Sequence, residues 1–211
     1  MVRKDIKEFI KTIPENVTLV AATKYVGVDD MEVLLENGIN NFGENRTESF
    51  LQKYAVLQNK GAIWHFIGHL QRNKANEVIN KINYLHSLDS LKLAEVIERK
   101  RDHPLKCFVE ISINLEESKN GVPYFEAKDF IKELQKFSKI EVVGLMMMAI
   151  KASDENSLEN QFAKLRILRD DLEKELNIKL PFLSMGMSDD YKEAIKEGAT
   201  HIRLGRILYD L

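Results

Sequence analysis

KEGATHIRLG, residues 196–205, ends an amphipathic segment on a glycine and opens a short apolar run at once. ENGINNFG, residues 36–43, does the same near the other end of the chain. In both places a glycine just past a helical stripe offers the left-handed conformation that closes a helix, and a strand follows without a linker. Before the first, Met31, Leu34 and Leu35 share a helical face, with Asp29 and Asp30 expected to cap it. Before the second, Tyr191, Ala194 and Ile195 share a face behind Ser188. Punctuation of this kind, recurring about every 25 residues, predicts repeated βα units and a parallel sheet.

Working outward, strand candidates fall at 17–24, 39–43, 62–67, 83–87, 106–113, 140–146, 181–185 and 200–204. Helix candidates fall at 2–12, 29–37, 45–58, 70–81, 90–102, 126–137, 154–176 and 189–197. Eight strands alternating with helices suit a closed TIM-type (β/α)8 barrel, shorter in its loops than the typical barrel of about 250 residues. The runner-up is an open doubly wound sheet, whose GxGxxG turn after the first strand is absent. No linker or composition break divides the chain, so residues 1–211 are expected to form one domain.

Composition narrows the function classes. Hydrophobic residues make up 44% of the 211, enough for a sizeable core. With 31 basic against 33 acidic residues and no basic block, there is no electrostatic footprint for nucleic acid. Cys107 is the one cysteine, and its place in KCFVEISI reads as a buried strand thiol. No run approaches a membrane span, and MVRKDIKEFI lacks the apolar core of a signal peptide. A cytoplasmic protein is expected.

Alternation along the strands separates residues that face the helices from residues that face the barrel interior. In IWHFIG, Trp64 and Phe66 form the outer set and His65 lies between Ile63 and Ile67 on the inner one. In THIRLG, Ile202 and Leu204 face outward, so His201, Arg203 and Gly205 face inward. VTLVAAT, residues 17–23, runs without a charge into Lys24, which shares the face of Val20 and Ala22. Lys24, His65 and Arg203 are therefore expected to converge at the C-terminal mouth, where an anion or an imine would compensate buried charge. Taken singly, each has a plainer reading: a solvated loop lysine, a hydrogen-bonded core histidine, an arginine paired with a carboxylate. His65 and His69 are four apart but straddle a strand end, so no metal site is expected. Met146, Met147 and Met148 read as flexible apolar filler. SMGMSDD and RLGR close the last two strands, where barrels of this kind often bind phosphate. Gly186 and Gly205 would let backbone N–H groups approach an anion, with Ser188 adding a hydroxyl or serving only as a helix cap. Asp189 and Asp190 are expected to point to solvent.

ATK at 22–24, FGEN at 42–45, WHFIGHLQRNK at 64–74, SKNG at 118–121, GLM at 144–146, SMGMSDD at 184–190 and HIRLG at 201–205 occur in one order. With these motifs the chain resembles the pyridoxal phosphate homeostasis proteins, a group similar to the N-terminal barrel of alanine racemases. The resemblance covers nearly the whole chain and departs at Arg46, at LMMMA (145–149) and at Asp210 in the tail YDL. It implies a barrel of PLP fold-type III kind holding pyridoxal 5′-phosphate (PLP), with no second β domain. It implies that Lys24 forms a Schiff base with the cofactor. It implies that Ser188 and the backbone at Gly205 and Arg206 cradle the phosphate and that Arg203 stands beside the ring or its phosphate. Asn45, His65, Met146 and Ser184 complete the candidate cofactor-binding set.

The function implied is reversible storage and delivery of PLP by a monomer, without a catalytic residue, apo PLP-dependent enzymes being transient recipients. The alternatives are a small PLP-dependent amino-acid racemase and a cofactor-free barrel lyase using Lys24 as its Schiff base. An arginine at the ring would weaken the electron sink that racemisation needs.

Overall fold

The computed structural model describes residues 1–114, 120–150 and 153–210. Ser118 and Lys119 of SKNG and the terminal Leu211 lie outside the described residues. The strands are β1 (Thr18–Ala22), β2 (Asn41–Glu44), β3 (Ile63–Phe66), β4 (Tyr84–Leu88), β5 (Leu105–Ser112), β6 (Val122–Pro123), β7 (Ile140–Met146), β8 (Phe182–Ser184) and β9 (His201–Leu204). All except β6 form a parallel ring in chain order, closed by pairing of β9 with β1 and of β4 with β5. That closure excludes the open doubly wound sheet. β6 was absent from the sequence reading, because two residues carry no periodicity; it pairs with the end of β5 outside the ring.

The helices are α1 (Ile6–Lys11), α2 (Val28–Glu36), α3 (Thr47–Leu57), α4 (Arg72–Val78), α5 (Leu91–Lys100), α6 (Ala127–Leu134), α7 (Glu155–Leu176) and α8 (Tyr191–Lys196). α1 precedes the first strand, and the others cover the ring. The two glycine stops have the same build. Gly38 and Gly198 take φ of +83° and +90°. Each donates its N–H three residues back, and the next residue donates five back: Ile39 to Leu34 and Ala199 to Ala194, both at 2.9 Å. This pair of bonds satisfies carbonyls that the helix leaves open and turns the chain straight into β2 or β9.

Two expected caps are corrected. α2 begins at Val28 behind Gly27, which leaves Asp29 and Asp30 inside its first turn. Asp30 instead accepts a hydrogen bond from the Val2 N–H at 3.1 Å. α8 begins after Asp190, not Ser188, and Asp190 is buried rather than solvated, its Oδ1 accepting from the Met187 N–H at 2.5 Å.

A shell of apolar side chains fills the space between ring and helices. Trp64, Phe42, Phe50 and Tyr54 form one aromatic group there, with Trp64 edge-on to Phe50 at 5.4 Å. Cys107 is fully buried, and burial pushes its thiol far above the ordinary range, as suits an inert strand residue. The barrel interior is different. A small apolar group of Phe108, Val143 and Met146 shares it with histidines and an arginine. Among the described residues no helix is long and apolar enough to cross a membrane.

Candidate functional site

The β-strand C-termini assemble the candidate site at one mouth of the barrel. Lys24 lies two residues beyond β1. Alternation fails there, because the Val26 N–H bonds back to the Thr23 carbonyl at 3.1 Å and turns the chain out of the strand. Lys24 is exposed, with Nζ 4.7 Å from the centre of the Tyr25 ring. Its backbone is nevertheless fixed through Thr23. The Thr23 N–H donates to the Gly43 carbonyl at 3.1 Å, and its hydroxyl donates to Glu44. Lys53 Nζ, from α3, donates to both the Thr23 carbonyl and Glu44 Oε1 at 2.6 Å. Ser49 Oγ donates to Glu44 Oε2 at 2.9 Å. Glu44 and Lys53 are buried, so each compensates the other's desolvation.

The loops after β8 and β9 meet beside this lysine loop. Ala21 of β1 is in register with Leu204 of β9, and Gly205 lies against Ala22. Ser188 Oγ accepts the backbone N–H of Gly205 at 3.2 Å and that of Ile207 at 3.4 Å. Two main-chain donors thus converge on one oxygen, as an anion would require. Gly186 holds φ +95°, and a Cβ there would come within 2.7 Å of the Ala194 side chain, so only glycine fits without displacement. Arg206 turns outward and pairs with exposed Asp189.

Arg203 projects inward, as alternation requires, and is 5% exposed. Its Nη1 donates to Ser184 Oγ at 2.6 Å and its Nη2 to the Met147 carbonyl at 2.9 Å. Burial brings its pKa down to about 10, so it remains cationic at neutral pH. Glu110, inward on β5, is pushed up to about 7 by burial and then by Asp89, against the pull of Arg203. Asn45 is half-buried where Gly68 passes close to its backbone. Met146 is buried with Phe108 and Val143.

His65 is wholly buried below the mouth with both ring nitrogens engaged: Nδ1 with His86 Nε2 and Nε2 with Asn41 Oδ1, each at 2.9 Å. It stacks flat on Tyr84 at 4.7 Å. The structure therefore does not gather Lys24, His65 and Arg203 at one point. Lys24 stands at the rim, Arg203 inside it, and His65 deeper still. The second half of WHFIGHLQRNK lines a separate cleft of about 500 Å³ beside the mouth, where His69, Gln71, Arg72 and Asn73 face Asp89 and Ser90. Among the described residues no group of three His, Cys, Asp or Glu is placed to hold a metal ion.

The family model for the N-terminal domain of alanine racemase matches residues 2–211. The chain belongs to this alanine racemase N-terminal domain family. Among its relatives is the pyridoxal phosphate homeostasis protein of Aquifex aeolicus, 37% identical over 194 residues, which span 90% of this chain and 85% of that one. The protein of the same name from Synechocystis is 36% identical over 206 residues, 96% of this chain and 94% of that one. PipY of Synechococcus elongatus, solved with PLP bound, superposes with a TM-score of 0.89 at 29% identity, covering 97% of this chain and 99% of that one. Alanine racemase from Corynebacterium glutamicum shares the fold, with a TM-score of 0.79 at 15% identity over 60% of its own length.

Within this family member, the sequence reading missed His86, Glu110 and the Glu44–Lys53 pair. The alternation that found His65 and Arg203 also places His86 in YLHSL and Glu110 in CFVEIS on the inner face. Lys53 had no such signal, because a lysine in an amphipathic helix ordinarily faces water.

Proposed function

We propose that this chain binds pyridoxal 5′-phosphate reversibly at the barrel mouth and serves in its homeostasis, storing the cofactor and releasing it to apo-enzymes. The observation that carries the reading is the meeting of an anion cradle with a lysine loop on adjacent strands. The Gly205 and Ile207 N–H groups converge on one oxygen, next to the strand that leads into Lys24. The names of the relatives and the PLP in PipY support it.

The residues fit the group. Ser188, Gly186 and the backbone from Gly205 to Ile207 would hold the phosphate, and Arg203 would face the ring. Bound PLP supplies an aldehyde that condenses reversibly with a primary amine. Lys24 offers that amine on an anchored backbone with an exposed side chain, whose ordering costs up to about 2 kcal/mol. Lys53 holds the Thr23 carbonyl and Glu44 accepts from the Thr23 hydroxyl, and together they set where the lysine starts. Asn45 and Met146 border the pocket, while His65 and Ser184 support Arg203 from below.

Arg203 keeps its charge at neutral pH and opposes a further positive charge beside it. That favours cofactor holding over racemisation, which depends on a strong electron sink. The test has two parts. Titration of the apo-protein with PLP should give the yellow absorbance of a protein-bound Schiff base in the parent and not in Lys24→Ala. Holo-protein mixed with single amino acids in D2O should leave their α-protons in place. Rapid exchange with scrambled stereochemistry would make the chain a racemase, and a protein that never takes up PLP would end the reading.

A further inference from the structure

A continuous line of hydrogen bonds runs down the barrel interior from Arg203. Arg203 Nη1 lies 2.6 Å from Ser184 Oγ, and Ser184 Oγ lies 2.7 Å from His86 Nδ1. His86 Nε2 lies 2.9 Å from His65 Nδ1, and His65 Nε2 lies 2.9 Å from Asn41 Oδ1. The five members lie on five different strands, β9, β8, β4, β3 and β2, so the line crosses the ring instead of following one strand.

The chemistry of the two ends fixes every proton between them. A guanidinium only donates, so Ser184 Oγ accepts from Arg203. The single Ser184 proton is then available to His86 Nδ1. At the far end an amide oxygen only accepts, and Asn41 is oriented by its own Nδ2 donating to Asn40 Oδ1 at 3.0 Å. His65 Nε2 must therefore carry a proton. A neutral His65 has its lone pair on Nδ1, which accepts from His86 Nε2–H. His86, neutral in turn, presents its Nδ1 lone pair to the Ser184 hydroxyl. One arrangement satisfies all four bonds: donation runs from Arg203 to Ser184, His86, His65 and Asn41, with both imidazoles in the Nε2–H form.

We infer that His86 and His65 are positioning residues for Arg203, acting through Ser184 and anchored at Asn41. They fix the Ser184 hydroxyl so that its lone pair faces the guanidinium, and the Met147 carbonyl holds the other arm. This inference rests on the reading of the mouth as the PLP site, toward which Arg203 is held. Ring packing supports the alignment, since His65 lies flat on Tyr84 and His86 on Phe108 at 4.3 Å. Burial drives both histidines well below their ordinary range, consistent with neutral rings. His201 stays outside the line, its Nδ1 paired with Thr200 Oγ1 at 2.9 Å. Stability alone does not call for such a line. Each buried neutral hydrogen bond nets only about 1 kcal/mol, and apolar side chains fill most barrel interiors.

The test needs one arm without PLP and one with it. In the apo-protein, ¹⁵N–¹H correlation spectra of the imidazoles should show His65 and His86 as neutral Nε2–H tautomers across the neutral pH range. An Nδ1–H tautomer or a cationic ring at either position would overturn the chain. In the PLP arm, His86→Phe keeps the ring and removes the acceptor, and it should weaken PLP binding about tenfold. His86→Asn, which returns an oxygen near the Nδ1 position, should recover most of that loss. Ser184→Ala cuts the same link without touching the rings and should match His86→Phe even if the latter folds poorly. Parental affinity in both Ser184→Ala and His86→Phe would overturn the positioning role. A parent that takes up no PLP but shows both tautomers would sink the cofactor reading and leave the hydrogen-bond line standing.

Discussion

The two faces of the same strands are equally buried and chemically opposite. On β3, Trp64 and Phe66 point outward into the aromatic and aliphatic shell, and His65 points inward into a hydrogen-bonded line. On β9, Ile202 and Leu204 point outward and Arg203 inward. Burial alone does not tell these faces apart. The outer face gains free energy from apolar area, whereas the inner face gives up part of that gain to hold a cation and two rings in fixed orientation. The difference assigns stability to the shell and ligand geometry to the interior, and perturbing each should move a different observable.

The largest effect is expected in the shell. Phe66→Ala removes a ring that is 1% exposed and should lower unfolding free energy by about 4 kcal/mol in urea titration, while the folded fraction keeps parental PLP affinity. Glu44→Ala should cost about 3 kcal/mol, because Lys53 is left buried without its partner. Unlike Phe66→Ala, it should also weaken PLP uptake, since the Thr23 anchor of the lysine loop is lost. A Glu44 variant that loses stability and keeps full affinity would separate that anchor from the site.

Two inward groups should shape opposite limbs of the pH profile. His201 is brought down to about 4 by burial and then by Arg203. Its folded value lies below its ordinary 6.5, so its neutral form contributes stability that is present above that value and lost as pH falls toward about 4. The gap corresponds to roughly 3 kcal/mol. Glu110 runs the other way: raised to about 7, it stabilises below its ordinary 4.5, and that contribution fades as pH rises through about 7. His201→Asn should therefore flatten the acid limb of a stability profile, and Glu110→Gln should flatten the limb near neutrality. The smallest stability change is expected for Arg203→Gln, which should leave melting nearly unmoved and weaken PLP retention by at least the roughly tenfold expected of His86→Phe, read by titration.

Much of this was legible in the sequence, for identifiable reasons. Gly38 and Gly198 announced the βα repeat because a left-handed helix stop is a local demand that few other residues meet. Arg203 and the inward set of β9 were legible because period-two alternation survives to the end of that strand. Lys24 was placed one face too far in, because β1 ends at Ala22 and a turn follows that alternation cannot see. Asp190 was read as solvated because acidic residues at a helix start usually are; here the Met187 N–H draws its carboxylate inward. The link from His65 to His86, Ser184 and Arg203 joins residues distant in sequence, and only the closed ring brings them together.

The central claim is that Lys24 is the amine that carries PLP. Holo-protein treated with borohydride, digested and read by mass spectrometry tests it most directly. The account predicts a phosphopyridoxyl group on the peptide containing Lys24 and on no other lysine. A label at Lys53 or elsewhere, or no label on protein that has demonstrably bound PLP, would contradict it.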